Sequence, residues 1–578
     1  MELDEPLEQY SAYYKDHHAR ITSEYFENLV KTSKVDEQAN IKTVSELRTL
    51  EASIKDVSST RKRWRILRVL ALVLTGGLSA LAFSLGEWHY LWLVPAIASL
   101  VFVFVKVNPE VKNINAKIAD LDTQKEDKLS VAWGEMASLN SLFSWETARE
   151  LFQETFPQVK LDEYFTSGRL SDLQANYGLT DQFNRGRSIL HSQSGEIQGN
   201  PFVITRFVHH WIGSYTYTGS LVIYWTEQVR NAQGQLVTVQ RSQTLTASVN
   251  KPYPMYQNRS AIVYGHEAAP NLTFSRVPSK LSGIEEGTFN DWKKARAIKK
   301  VEKIARKDVK SGRGDFTVMS NKEFESLFKA VDRDNEIEFR LLFTPLAQQE
   351  MVNLMNDKTD SYGDDFTFEK DGAINIVEPS HLGETRFDGD PSLFTSYELA
   401  SAREFFNDFH NDYFRSIFFG FAPLLTIPLY REPRSAGATS PYKPNPETSF
   451  WEHEVMANYI GQDSFRHPES ATTNLLRAGS SSSKNGVSRV SVIAFGYKGI
   501  GRVDYVAMLG GDGNWHQVPV PWTEYIPVEK ESEMLVTSMP APEEGSSSKS
   551  QDWESVLSAK GINIEGAAIR GALAATLL

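Results

Sequence analysis

Five short constellations in this chain have residue types and spacing that could support chemistry. Gly496-Tyr-Lys-Gly-Ile-Gly501 has the spacing of a phosphate loop. Such a loop needs Lys then Ser or Thr, followed by a helix N-terminus. Arg502 and Val503 stand there instead and the next segment alternates like a strand, so a tight β-turn is expected. His453-Glu454 begins like a zinc-protease helix, but Ala457 occupies the place of the second His. Asp388 and Asp390 open like a calcium loop, yet Leu393 and Leu399 replace its Gly and Glu, which leaves a plain turn. Glu404, Asp408 and Asp412 follow one another at helical spacing, while His410 points about 200° away, so they read as a solvated acidic face. His209-His210 falls in a strand pattern, where neighbouring side chains face opposite ways and cannot share a metal. No Gly-x-Ser-x-Gly elbow occurs, and the absence of cysteine removes thiolate chemistry and disulfides. No catalytic residue, cofactor or metal ligand is assigned.

What the chain does carry is a pair of apolar runs. Val69 to Leu85 and Tyr90 to Val105 are free of charge, and each with its flanks spans roughly 30 Å of hydrocarbon. The short link through Gly86 and Glu87 forces an antiparallel helical pair. Trp88, Tyr90 and Trp92 gather at that link and Trp64 at the other end, as aromatic rings do at membrane interfaces. Arg61, Lys62, Arg63, Arg65 and Arg68 precede the first span, and Lys106, Lys112 and Lys117 follow the second. The positive-inside rule then puts residues 1–62 and 108–578 in the cytoplasm. The expected location is the cell membrane, multi-pass, with spans at about 66–86 and 88–107 inside a hairpin of 63–107. Gly76, Ala80 and Ser84 form a small-residue stripe of the kind that lets membrane helices pack closely. No ionisable residue lies mid-membrane, which disfavours a transporter.

The elements around this hairpin follow from periodicity. Leu47, Leu50, Ile54 and Val57 step by 3, 4, 3, and so do Val111, Ile114, Ile118 and Leu121. Two such seams predict a short antiparallel coiled-coil stem, with Val57 opposite Val111 and Leu47 opposite Leu121. Helices continue through 108–180. A β-rich domain is expected over 181–288, with strands 220–230 and 236–249 joined by a turn at Asn231–Gly234, and Pro252 and Pro254 closing it. An α+β region at 289–434 contains a hairpin turning at Lys370-Asp-Gly372. Ile417 to Tyr430 reads as buried core, being too short to span. A small β module covers 435–544, with loops at 435–449 and 479–486. Residues 545–578 read as a linker followed by an isolated tail.

The stretch Trp292 to Gly314 concentrates positive charge in a chain of net charge −12. Lys293, Lys294, Arg296, Lys299, Lys300, Lys303, Arg306 and Lys307 lie on a helix with a thin apolar face of Ile298, Val301, Ala305 and Val309. Anionic lipid or another anionic partner is the expected contact, at about 1 kcal/mol per basic residue near a membrane surface. The acidic balance elsewhere disfavours nucleic acid.

RSQTLTASVNKPYPMY (241–256), NLTFSR (271–276), FHNDYFRSIFFGFAPLLTIPLY (409–430) and RVDYVAMLGGDGNWHQVPVPWTEY (502–525) resemble an uncharacterised family of two-span bacterial membrane proteins with a large cytoplasmic region, met in small-genome bacteria and Gram-positives. The resemblance covers most of the chain after about residue 60. It implies a bacterial membrane protein and no activity. The fold class is α+β: a helical stem and transmembrane hairpin, then two β-rich modules separated by a helical region. The expected function is a non-enzymatic membrane-anchored scaffold with protein partners. An oligomeric channel or membrane-remodelling assembly is second, and an enzyme with an unrecognised site is third.

Overall fold

A computed structural model describes residues 5–84, 89–283, 295–296, 298–300, 303, 318–435, 447–484, 486–539, 553–560, 562 and 566–578. The chain is α+β and divides into two compact units. Residues 19–147 and 389–410 form a helical unit; residues 1–18, 148–388 and 411–578 form a mixed unit.

The helical unit is built on α1 (Lys15–Ser33), α2 (Glu37–Ser84), α3 (His89–Phe102) and α4 (Asn108–Asn140). A π-helical turn, Val103–Val107, joins α3 to α4. Helix α2 runs antiparallel to α3 and α4. Glu46 meets Lys128 at 2.5 Å, Glu51 meets Lys125 at 2.8 Å, and Thr75 Oγ1 lies 3.1 Å from Ser99 Oγ. Of the residues in the two seams, Leu47, Val111 and Ile118 are buried and the other five are half-buried. Their register differs from the expected one. The observed pairs are centred near position 87, whereas Val57 opposite Val111 would centre the hairpin near 84. Leu47 therefore lies level with the chain near Lys128, beyond Leu121. A 3, 4, 3 seam repeats closely enough to fit several registers, and these polar pairs select among them.

The apolar residues beyond the stem point outward. Val69, Leu70, Val73 and Leu74 on α2 and Val94, Ile97 and Val101 on α3 are exposed. Among the described residues one helix, Leu93–Asn140, is long and apolar enough to cross a membrane by length and composition, and only 22% of its apolar window is buried.

Two antiparallel sheets organise the mixed unit. The first has the order β1-β2-β3-β4-β7-β6-β5. Its strands are β1 (Val159–Leu161), β2 (Arg187–Ile197), β3 (Asn200–Arg230), β4 (Leu236–Gly265), β5 (Thr273–Arg276), β6 (Phe366–Asp371) and β7 (Ile374–Pro379). The second has the order β11-β12-β10-β9-β8. It comprises β8 (Leu475–Lys484), β9 (Val487–Leu509), β10 (Trp515–Ser538), β11 (Ala568–Arg570) and β12 (Leu573–Leu577). The helices of this unit are α5 (Thr147–Thr155), α6 (Ser167–Tyr177), α7 (Lys322–Phe328), α8 (Glu336–Leu342), α9 (Pro345–Asn356), the part of α10 (Leu399–Leu425) after residue 410, α11 (Phe450–Ile460) and α12 (Trp553–Ala559).

Several expectations are corrected. The first sheet draws strands from both sides of residue 288, because β6 and β7 add to β4 after the α7–α9 helices. Pro252 and Pro254 do not end a strand. They lie two residues apart, so their nitrogens face one edge, and β4 carries no strand on that edge until Ile262 meets Val377. The Gly479–Lys484 run is not a loop: Gly479 and Ser480 form a bulge in the edge strand β8, and Ser481 to Lys484 pair with β9. Gly496–Gly501, expected as a turn, lies inside β9. The tail is not isolated either, since β12 pairs with β10 from Met534↔Leu577 to Ser538↔Leu573. Ile417 to Ile427 is buried core as read, and the Lys370-Asp-Gly372 and Asn231–Gly234 turns are where periodicity put them.

Beyond their shared sheets, β3–β4 and β9–β10 continue as two long ribbons. Past His209, β3 pairs only with β4, and past Phe495, β9 pairs only with β10. The ribbons pack on each other through Ile223, Leu245, Ala247, Val518 and Val520. A Cβ at Gly219 would come within 2.0 Å of Pro519 O, so only glycine admits this approach. Alternation leaves Val222 and Tyr224 on one outer face and Val503 and Tyr505 on the other, all exposed.

The hairpin register is testable because the chain has no cysteine of its own. The double variant Thr75→Cys, Ser99→Cys is expected to close a disulfide within one chain, visible as a mobility shift reversed by reductant. A cross-linked product of twice the mass, with none at monomer mass, would refute the intrachain pairing.

Candidate functional site

Helix α11 starts at Ser449, whose hydroxyl accepts the Glu452 N–H as an N-cap. Its sequence, FWEHEVMANYI, has no polar face. Trp451 through Ala457 are all buried. Trp451 and Val455 belong to a core with the first sheet, whereas Met456 and Ala457 belong to a core with the second. Three consecutive ionisable residues, Glu452, His453 and Glu454, are therefore forced out of water. Each must find partners, because an unpaired buried charge is costly.

Glu454 finds four donors. The Ile189 amide gives to its Oε2 at 3.1 Å, and Arg477 Nε gives to its Oε1 at 3.1 Å. The Ala478 amide and Asn184 Nδ2 add longer bonds of 3.4 Å to Oε1. Burial still pushes this carboxyl up to about 7, ahead of the lowering effect of Arg477 and the amides. His453 Nε2 lies 2.7 Å from Thr448 Oγ1, and burial lowers its pKa to about 4, so the ring is neutral.

Glu452 faces the other way, into a cluster drawn from distant parts of the chain. Its Oε1 accepts the Phe165 amide at 2.9 Å, and its Oε2 lies 3.6 Å from Arg570 Nη1. Arg570 comes from β11. It also donates from Nε to Asp388 Oδ1 at 3.1 Å and from Nη2 to His191 Nδ1 at 2.7 Å. A bulge in β2 between Ile189 and His191 re-aims His191 into the cluster, and Phe387 stacks on its ring at 4.9 Å. Because Nδ1 accepts from the guanidinium, the His191 proton sits on Nε2 and the ring is neutral. Burial, the largest influence, lowers its pKa in the same sense. Burial pushes Asp388 up, but the Arg570 guanidinium that donates to it outweighs that and holds the carboxyl well below the usual range. The arrangement binds a guanidinium between two carboxylates and an imidazole acceptor. Arg570 thus engages Asp388 Oδ1 and His191 Nδ1 and lies beside Glu452 Oε2.

Lys370 is the other buried cation of note. Burial lowers its pKa to about 7, a range suited to nucleophilic lysines. However, Nζ donates to Ala268 O at 3.0 Å and Gly372 O at 2.6 Å and has no exposed surface. It holds the β6–β7 turn.

Of the residues singled out in the sequence, Gly76 and Ala80 are exposed on α2. A Cβ at Gly76 would meet nothing within 4 Å. The face that packs on α3 is instead Ala71 and Thr75, with Ser99 Oγ donating to Ala71 O at 3.1 Å. The Ser84 side chain lies outside the described residues, as do Lys293, Lys294, Arg306 and Lys307. Arg296, Lys299, Lys300 and Lys303 are on helical, exposed residues. Glu404, Asp408 and Asp412 are exposed, as an acidic face should be. Sequence pattern gives Asp388 only a place in a turn, and no role to Glu452 or Arg570. Their signal was present as charges inside patterns with no polar side, in FWEHEVMA and AAIRGALAA. Comparison with known proteins brings no matching family model, curated protein or solved structure.

The raised Glu454 carboxyl gives a signed pH dependence. In the folded state it holds its proton up to about pH 7, while unfolded it ionises near 4.5. Between these values the folded state binds more protons, so this group's contribution to stability falls as pH rises. Glu454→Gln cannot ionise and is expected to melt at a temperature that gains on wild type from pH 5 to pH 8. A wild-type-to-variant difference that is constant across this window would show that Glu454 is ionised throughout.

Proposed function

We propose that this protein is a membrane-anchored, non-enzymatic interaction protein. In this reading two spans carry it in a bacterial cell membrane, and its β-rich modules and intervening helices are cytoplasmic. The observation that carries the reading is the exposure of Val69, Leu70, Val73, Val94, Ile97 and Val101 on a helical pair whose inner face is already filled. Water would penalise that surface at roughly 25 cal/mol per Å², and lipid would not. The basic residues flanking both runs and their absence from the link give the orientation. The stem acts as a short antiparallel coiled coil below the bilayer, and Arg296, Lys299, Lys300 and Lys303 contact anionic lipid. Protein partners meet the outer faces of the two ribbons, where Tyr224, Tyr505 and Trp515 are exposed; aromatic side chains of this kind are enriched at binding surfaces.

Topology is the deciding test. Single cysteines at Glu87, in the link, and at Gln233, in the exposed β3–β4 turn, are offered a membrane-impermeant thiol reagent on intact cells. Glu87→Cys is expected to label directly, and Gln233→Cys only after permeabilisation. The reverse pattern would invert the orientation, and labelling of both without permeabilisation would remove the membrane reading.

One observation favours a second reading, an oligomeric channel or membrane-remodelling assembly. Among the described residues nothing packs on the Gly76 and Ala80 face, which would let a helix of another copy approach closely. Under that reading the detergent-purified protein has a multimeric mass, and Gly76→Leu with Ala80→Leu reduces it to the monomer. A monomeric wild type ends this reading.

A further inference from the structure

The C-terminal segment meets the mixed unit in a manner unlike an ordinary edge strand. Strand β12 adds to β10 over five register pairs, with Leu573, Ala574 and Ala575 nearly fully buried. The ladder is closed at its ends by Met539 N donating to Ala572 O at 2.8 Å and Leu578 N donating to Glu533 O at 2.9 Å. Ahead of it, α12 and Ile562 form a small core of their own, in which Leu557 and Ile562 pack with Ala574. An apolar edge strand needs nothing more. Yet this segment also carries Arg570 into the cluster of Asp388, Glu452 and His191, which comes from a loop, a helix and a bulged strand far apart in sequence. Desolvating a guanidinium and the Glu452 carboxylate contributes little net stability, but it discriminates between partners and registers. A strand shifted by one residue would turn its arginine to the other face and leave the two carboxylates uncompensated.

Sequence separates this segment from the sheet. Met539 and Trp553 are joined by thirteen residues, PAPEEGSSSKSQD, rich in Gly, Ser and Pro. Fully extended, these reach about 45 Å. Nothing in the β10 edge, α11, His191 or Asp388 depends covalently on the segment that fills them.

We propose that the β10 edge and the Asp388–Glu452–His191 cluster form a strand-binding site for an arginine-bearing segment. The chain's own residues 553–578 fill it, and the same segment from a second copy can replace them. The specificity elements are the guanidinium at position 570 and the small residues at 574 and 575, where a larger side chain would strike the core. Exchange between copies then links two chains through an interface that each already possesses, as in domain swapping.

The test uses the full-length protein in detergent with a protease recognition sequence replacing residues 543–548. After cleavage, a fluorescent peptide of residues 553–578 is added in excess. The cleaved segment is expected to remain bound through gel filtration in the absence of peptide and to be replaced by the labelled peptide in its presence. A peptide with Arg570→Gln is expected to compete at least tenfold less well, and Glu452→Gln in the protein is expected to narrow that preference. Three outcomes would overturn the proposal. They are loss of the folded state on cleavage, no replacement at any peptide excess under native conditions, and equal competition by the two peptides.

Discussion

The structure depends on burying the charges of α11. A helix placed between two sheets must present apolar residues all round, and Trp451, Val455, Met456 and Ala457 meet that demand. Glu452 and Glu454 violate it, and much of the surrounding architecture answers the violation. Asn184, Arg477 and the Ile189 and Ala478 amides converge on Glu454 from the first sheet and the edge of the second. Phe165 and Arg570 converge on Glu452. Removing one partner of a buried pair such as Glu452 and Arg570 typically costs about 3–5 kcal/mol, because a charge is left dry and unpaired. The two carboxylates therefore restrict how the sheets can meet more than they strengthen the meeting. Apolar contacts tolerate sliding; two acids aimed at two different arginines do not.

The ribbons raise a different problem. Two long two-stranded ladders leave unpaired strand edges, which invite other chains to add. In this molecule prolines sit on those edges. Pro252 and Pro254 on β4 and Pro519, Pro521 and Pro527 on β10 recur at even separations, so within each strand the nitrogens face one side and deny it donors. Lys251, directly before Pro252, is bound to Asp504 at 2.6 Å and set over the Trp522 ring at 4.3 Å. The same chain leaves the β10 edge open at Met534 to Ser538, where β12 adds and where no proline occurs. Blocked and permitted edges thus lie on a single strand, which confines strand addition to the site that Arg570 marks.

How much of this was legible in sequence follows from the range of each signal. Local turn chemistry was readable: Asn231–Gly234 and Lys370-Asp-Gly372 are hairpin turns, and helices fell where periodicity of 3.6 was sustained. Loop signals misled where tertiary pairing overrode them. The Gly479–Lys484 run has a linker composition but is an edge strand, and Pro252 and Pro254 look like breakers but occupy a free edge. The buried cluster was beyond a local reading, because His191, Asp388, Glu452 and Arg570 are separated by up to 379 residues. Only their oddity was visible: a lone arginine in AAIRGALAA and two acids in a helix with no polar face.

The helical hairpin shows the same limit from the opposite direction. Its seams were visible, but a seam of two heptads is nearly degenerate in register, and the choice fell to features with little hydrophobic signal. Glu46 with Lys128, Glu51 with Lys125, and Thr75 with Ser99 are polar pairs spread along the hairpin, and all agree on one centre. In water such pairs are each worth under about 1 kcal/mol. Their agreement matters more than their strength, since an alternative register would lose all of them together while keeping most of its apolar contacts. Apolar burial brings the two helices together, and the polar pairs decide where along each other they stop. The same division holds at α11, where apolar faces gather the sheets and buried acids fix their alignment.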